Sequence, residues 1–169
     1  MQGKIALEEH FSTEEFLEDI KPYFVREGKW EEGKATICDI SGKRLEEMDA
    51  NGIEYNILSL SSPTIQGICS TADAIVAAKN INDYLAQQIQ PLPRRFGGFA
   101  ALPTQDPEAS ILELQRCVKD FNFKGALVNG FCTIDAHRGR PGQDPPLPHQ
   151  PGGEPGGLHG QARHSGAGA

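Results

Sequence analysis

Several features are missing from this 169-residue chain, and each absence narrows what it can be. No stretch approaches the roughly 18 consecutive apolar residues that a membrane-spanning helix needs, so no span is expected. The start, Met1-Gln2-Gly3-Lys4, leads straight into a short apolar run ended by Glu8 and Glu9. It has no apolar core of a secretory signal, and a cytoplasmic protein is expected. Positive charge is scarce: 16 Lys and Arg stand against 23 Asp and Glu, a net charge of −7. That balance argues against nucleic acid or an anionic membrane surface as the main partner. The four cysteines, Cys38, Cys69, Cys117 and Cys132, are scattered and form no Cys-x-x-Cys pair. A zinc knuckle and a thioredoxin-like motif are therefore not expected, and four reduced thiols are.

A further absence divides the chain. From Ala136 onward there is no Ile, Val, Phe, Tyr, Trp or Met, and the only large aliphatics are Leu147 and Leu158. Such a segment has almost nothing to bury against the entropy of ordering it, so residues 136–169 are expected to be a disordered Gly/Pro/His-rich tail. It holds His137, His149, His159 and His164, four of the five histidines. Their spacing is irregular and no Cys or carboxylate cluster accompanies them, which argues against a metal site there. The change near Asp135 is abrupt, and the Pro, Gly, Arg, Ala and His content is what GC-rich DNA yields in a wrong frame. An out-of-frame tail is one expectation and a natural linker another.

Residues 1–135 have the pattern of an ordinary folded domain. Lys4-Ile5-Ala6-Leu7 predicts a short buried strand. Ser12-Thr13-Glu14-Glu15 matches a capping box with Ser12 as N-cap, opening a helix to about Ile20. Residues 21–34, with Tyr23, Phe24 and Trp30 among charges and glycines, predict a loop. A helix from about Arg44 stops at Asn51-Gly52. Ile53 to Leu60 predicts a second strand, broken by Ser61-Ser62-Pro63. Thr71 opens the longest helix, with Ala77, Ile81, Leu85 and Ile89 as its core stripe, and Pro91 and Pro93 end it. Phe96 to Ala101 predicts a third strand. Asp106-Pro107 starts a helix with Ile111, Leu114 and Val118 facing inward, and Gly125 to Asn129 predicts a fourth strand.

Apolar strands alternating with helices mean α/β class and a parallel sheet covered by helices. A doubly wound nucleotide-binding sheet would place a glycine-rich phosphate loop after its first strand. Glu8-Glu9-His10 stands there instead. Acidic groups repel a phosphate and suit a cation, which favours a (β/α) barrel.

Side chains alternate along a strand, so Glu8 and His10 are expected to share a direction, with Glu9 turned away and structural. At the C-terminal end of a barrel strand that direction faces the active-site mouth. A carboxylate and an imidazole there suit zinc or manganese. The spacing alone is a weak signal, and a solvated acidic turn is the plainer alternative. Phe24, with Tyr23 and Trp30, would cover a flat ring or pack on the barrel rim. Ser59, Ser61 and Asn129 fall at or just past strand ends, where they would line a pocket or satisfy turn backbone.

The chain also resembles a known family. Met1-Gln2-Gly3-Lys4-Ile5-Ala6-Leu7-Glu8-Glu9-His10-Phe11 is similar to the opening of the gamma-resorcylate (2,6-dihydroxybenzoate) decarboxylases, with the 2,3-dihydroxybenzoate decarboxylases as further relatives. The similarity continues through Met48-Asp49-Ala50-Asn51-Gly52-Ile53-Glu54, Phe99-Ala100-Ala101-Leu102-Pro103 and Gly125-Ala126-Leu127-Val128-Asn129-Gly130-Phe131, and covers nearly all of residues 1–133 in order. The resemblance implies a TIM-like barrel of the amidohydrolase superfamily. It implies non-oxidative decarboxylation of a small phenolic carboxylic acid, with a zinc or manganese ion on the carboxylate and the adjacent phenolic oxygen. An aspartate would protonate the ring carbon. Glu8 and His10 match the family's metal ligands residue for residue, and full-length relatives are expected to be homo-oligomers.

The family's later histidine, in a Leu-His-Pro-Arg-like context, and its catalytic aspartate with a histidine partner have no counterpart in this sequence. A complete barrel takes about 250 residues. The expectation is a partial TIM-like barrel of about the first four strands, inactive by itself. The alternatives are a hydrolase or hydratase on the same scaffold, or a non-catalytic fragment that self-associates.

Overall fold

The computed structural model describes residues 3–20 and 30–130. Its elements run β1 (Lys4–Phe11), α1 (Glu14–Ile20), α2 (Trp30–Cys38), α3 (Lys43–Asn51), β2 (Ile53–Leu60), a 3-10 turn (Ile65–Gly67), α4 (Thr71–Ile89), β3 (Phe96–Ala100), α5 (Pro107–Phe121) and β4 (Gly125–Ala126). The four strands form a parallel sheet in the order β1-β2-β3-β4. Each strand therefore lies beside its successor, with helices in the crossovers, as a (β/α) barrel requires.

The core lies between the sheet and its helices. Phe11, Leu58, Leu60, Phe96 and Ala100 from the strands meet Ala74, Ala78, Ile81, Leu85 and Ile89 from α4 in one cluster. Burial of each large aliphatic side chain contributes about 1.5–3 kcal/mol. The α4 stripe runs through Ala74 and Ala78, while Ala77 is only partly buried. Adjacent glycines explain the small third strand. A Cβ on Gly97 would sit 2.5 Å from the Tyr55 hydroxyl, and one on Gly98 would sit 2.8 Å from the Phe123 ring. Both rings pack where only glycine leaves room.

Helix starts follow local chemistry. Ser70 caps α4 by accepting from Asp73 N–H, and Asp106 caps α5 by accepting from Ala109 N–H, with Pro107 in the first turn. Helix α3 ends at Gly52 in the left-handed conformation.

Several sequence expectations are corrected. The first strand extends to Phe11 and is not buried: Ile5 is 64% and Leu7 59% exposed. Among the described residues it is an edge strand, paired with β2 alone. Because β1 reaches Phe11, Ser12 is drawn into the interior, and Thr13 becomes the cap of α1 by accepting from Phe16 N–H at 3.1 Å. Residues 30–34 belong to helix α2 instead of the predicted loop. Ile111 and Val118 point outward, at 57% and 45% exposed. The inner face of α5 carries Cys117, with Leu114 and Phe121 packed against the core. Strand β4 is two residues long, because only Phe99–Gly125 and Ala100–Ala126 pair at this edge. The expected tail at 136–169 lies outside the described residues.

No helix among the described residues is long and apolar enough to cross a membrane.

Candidate metal centre

The C-terminal ends of parallel strands are where a (β/α) architecture builds its sites. A small cavity opens there, lined by Ser59, Thr64, Gln66, Ala100, Leu102 and Val128 from the ends of β2, β3 and β4 and the loops that follow. A larger cavity lies at the opposite pole, among Tyr55, Tyr84, Gln87, Phe96 and Phe121. In this architecture that pole serves stability.

Strand β1 carries Glu8 and His10 to the functional pole, but not along a regular strand. Ala6 pairs with Asn56 and Glu9 with Leu58, so Leu7 and Glu8 together stand opposite Ile57. This is a β-bulge, and Glu8 adopts φ 60° within it. A left-handed conformation costs a non-glycine residue about 1–2 kcal/mol. Bulges re-aim side chains and concentrate beside functional sites, as does backbone strain of this kind. The alternation expected from sequence is thus interrupted at the residue of interest. Glu8 is exposed, and Glu9 is half-buried.

His10 pairs with Ser59 in register, and its Nδ1 lies 3.1 Å from the Ser59 hydroxyl oxygen. Ser59 is 1% exposed. The backbone around His10 is held from behind. Arg44 Nη2 donates to the His10 carbonyl at 2.8 Å, Arg44 Nε donates to the Asp39 carbonyl at 2.8 Å, and Arg44 Nη1 lies 3.8 Å from Glu9. Burial pushes the Arg44 guanidinium pKa down, while Glu9 and Asp39 oppose that shift. Phe11, the next residue, is buried and stacks on Tyr84 at 6.4 Å between ring centroids.

Asn129 sits beyond β4. Gln66 Nε2 donates to the Asn129 carbonyl at 2.5 Å, and Asn129 N–H donates to Gln66 Oε1 at 2.7 Å. Gln105 Nε2 in turn donates to the carbonyls of Ile65 and Ile68, at 2.8 and 2.7 Å. The loops after β2, β3 and β4 are thereby tied into one rim. Asn129 Nδ2 and the Ser61 hydroxyl are buried at this rim without a hydrogen-bond partner among the described residues. Phe24 and Tyr23 lie outside the described residues. Trp30 opens α2 and packs against the core, which is the rim-packing alternative.

Arg44, Gln66 and Gln105 were not singled out from sequence. An isolated arginine on a short helix and two glutamines in loops carry no motif. The only available cue was Asp39-Ile-Ser-Gly42, where the Asp39 carboxylate accepts from Gly42 and Arg44 N–H and so fixes the start of α3.

The donor set fits a divalent cation in kind, with an exposed carboxylate on Glu8 and an imidazole on His10 whose Nδ1 contacts the Ser59 hydroxyl. It is incomplete in number. Among the described residues no group of three His, Cys, Asp or Glu side chains is placed to hold a metal ion.

A four-stranded parallel arc in sequential order with helices in the crossovers is the architecture of part of an α/β barrel. The amidohydrolase family matches residues 10–149, and this chain belongs to it. It is 52% identical over 131 residues to the gamma-resorcylate decarboxylase of Polaromonas sp. strain JS666, a match covering 78% of this chain and 40% of that protein. The crystal structure of a dihydroxybenzoic acid decarboxylase from the same organism, with bound manganese and the inhibitor 2-nitroresorcinol, superposes with a TM-score of 0.76 at 50% identity, over 80% of this chain and 40% of that one. A 2,6-dihydroxybenzoate decarboxylase complexed with 2,6-dihydroxybenzoate superposes with a TM-score of 0.74 at 51% identity, over 78% and 40% of the two chains. The chain thus spans 40% of the length of these relatives.

Proposed function

We propose that this chain carries part of the metal centre of a non-oxidative decarboxylase acting on hydroxybenzoate-type aromatic acids. Glu8 and His10 are its metal-holding residues. The observation that carries the assignment is the bulge at Glu8. A glutamate at φ 60° in an exposed position, two residues from an imidazole whose Nδ1 contacts Ser59, is the kind of backbone outlier that clusters at functional sites, and it supports the assignment. The close similarity to dihydroxybenzoate decarboxylases supports the reaction class.

When bound, a divalent ion polarises and orients the carboxylate and phenolic oxygens of such a substrate. Oxygen and nitrogen donors suit zinc or manganese, and the manganese in the Polaromonas structure favours the latter. The chain's own contribution is to hold one oxygen donor on Glu8 and one nitrogen donor on His10. Ser59, Thr64 and Gln66 offer polar groups at the wall of the small cavity. Decarboxylation adds a proton to the ring carbon bearing the carboxylate. The carbon–carbon bond then breaks, CO2 leaves, and the bonding pair restores the aromatic ring. In this reading the proton comes from an aspartate beyond the matched stretch. The same reading makes the protein cytoplasmic, binds neither nucleic acid nor membrane, treats residues 136–169 as a separate tail, and expects homo-oligomers of the full-length relatives.

Manganese titration of the 169-residue chain, followed by loss of the free-ion paramagnetic resonance signal, tests the assignment. One weak site per chain that disappears in both Glu8→Gln and His10→Gln is the expected result. Binding that survives both substitutions contradicts it.

A further inference from the structure

We infer that Ser59 is a positioning residue for the His10 imidazole. Its hydroxyl oxygen accepts the Nδ1 proton and so leaves Nε2 bare as the ligand nitrogen. This rests on the metal role of His10 proposed above, and adds to it the group that sets the tautomer.

Three observations carry the inference. First, the contact is specific: Nδ1 lies 3.1 Å from the Ser59 oxygen, on paired residues of adjacent parallel strands. Paired residues present their side chains to the same face of a sheet, so the backbone register itself brings the two groups together. Second, the serine is held in place. Ser59 is 1% exposed on β2, which has a neighbouring strand on each side, between Leu58 at 0% and Leu60 at 3%. The His10 backbone is anchored by the Arg44 bond to its carbonyl and by the burial of Phe11, while the residue itself is exposed. Third, the chemistry is selective. In a neutral imidazole one nitrogen carries the proton and the other the lone pair, and the hydrogen bond made by one decides which is which. If Ser59 accepts from Nδ1–H, the lone pair is on Nε2. If the proton sat on Nε2, His10 could not ligate through that atom. A buried serine at this register position therefore does for His10 what a carboxylate or carbonyl commonly does for a metal-bound histidine.

Tautomer state is readable without any metal. Long-range proton–nitrogen correlation spectra of the full 169-residue chain, labelled at histidine nitrogens and recorded where histidine is neutral, separate the two forms. His10→Gln identifies the His10 signals among those of the tail. The unsubstituted chain is expected to show His10 protonated on Nδ1. Ser59→Ala should move it towards the Nε2-protonated form, and Ser59→Thr, which keeps the hydroxyl, should retain the original form. Backbone amide spectra establish that each variant is folded. If Ser59→Ala does not fold, the unsubstituted chain and Ser59→Thr decide: Nδ1 protonation in both supports the inference, and Nε2 protonation in either overturns it. A Ser59→Ala variant that folds with its tautomer unchanged also overturns it. Manganese added to the same samples separates the two claims. Nδ1 protonation governed by Ser59, with no manganese broadening at His10, leaves the positioning role standing and sinks the metal reading. Where manganese binds, Ser59→Ala should weaken it about 10–100-fold.

Discussion

Gln66 and Asn129 are 63 residues apart in sequence and pair as two strands would, the side-chain amide of one exchanging two hydrogen bonds with the backbone of the other. Gln66 is 5% exposed, so neither bond competes freely with water. The pairing ties the loop after β2 to the segment after β4, where the two-residue strand offers little else. Gln66→Ala leaves the Asn129 N–H and carbonyl without these partners, and should cost about 1–3 kcal/mol. The Asn129 amide should then exchange with solvent much faster than in the unsubstituted chain, while amides in α4 should speed up only in proportion to the loss of global stability.

The bulge makes an unusual forecast at Glu8. Glycine tolerates φ 60° without the steric penalty that glutamate bears there. Against its greater entropy loss, Glu8→Gly should leave the chain about as stable or more stable by up to ~1 kcal/mol, while removing the carboxylate donor. Thermal unfolding and manganese titration on one sample check both halves. A marked loss of stability would mean that Glu8 has a structural task.

Thiol reactivity should differ sharply by position. Cys69 is exposed, whereas burial and then the nearby Glu113 carboxylate push the Cys117 thiol up to about 12. The thiolate is the reactive form. At pH 8 an alkylating reagent should modify Cys69 readily and Cys117 only after unfolding, as peptide mass mapping will report.

Glu113 gives the fold a pH dependence. Burial pushes its carboxyl up, but hydrogen bonds from Arg116 and Asn82 outweigh that and hold it below its usual value. A depressed folded-state pKa contributes stability that is present above the unfolded value and is lost as pH falls through the folded one. Stability should therefore decline below about pH 4.5, the ordinary value for this group. Glu113→Gln should flatten that decline in denaturant midpoints measured across the acid range.

Much of this was legible in the residues. Helix α4 announced itself by apolar spacing, α5 by Asp106-Pro107, and β2 by a continuous apolar run, because each signal is local. The Glu8-x-His10 spacing was visible as a motif at the end of the first strand, and Ser59 and Asn129 as residues at or past strand ends. The bulge was not visible, since no glycine marks it. Helix α2 was hidden by Gly33 and by the charges of Glu31, Glu32 and Lys34 in its first half. The outward turn of Ile111 and Val118 was obscured because the inner face of α5 is set by a polar contact. Asn82, 1% exposed, bonds the backbone of Ala101 and the Glu113 carboxylate across two helices and a strand. Apolar periodicity cannot register such a partner. Likewise, the strand edge at β1 exposes Ile5 and Leu7, which hydropathy alone assigns to a core.

The central claim is that Glu8 and His10 of this chain are competent ligands of a decarboxylase metal centre, and grafting tests it most directly. The matching stretch of the Polaromonas decarboxylase is replaced by residues 1–130 of this chain, and CO2 release from 2,6-dihydroxybenzoate is measured with manganese present. The account predicts manganese-dependent turnover in the graft and a fall of about 100–1,000-fold in Glu8→Gln and in His10→Gln, the loss of several kcal/mol of metal-borne stabilisation. A folded, manganese-loaded graft without turnover, or one whose turnover survives Glu8→Gln, would contradict it.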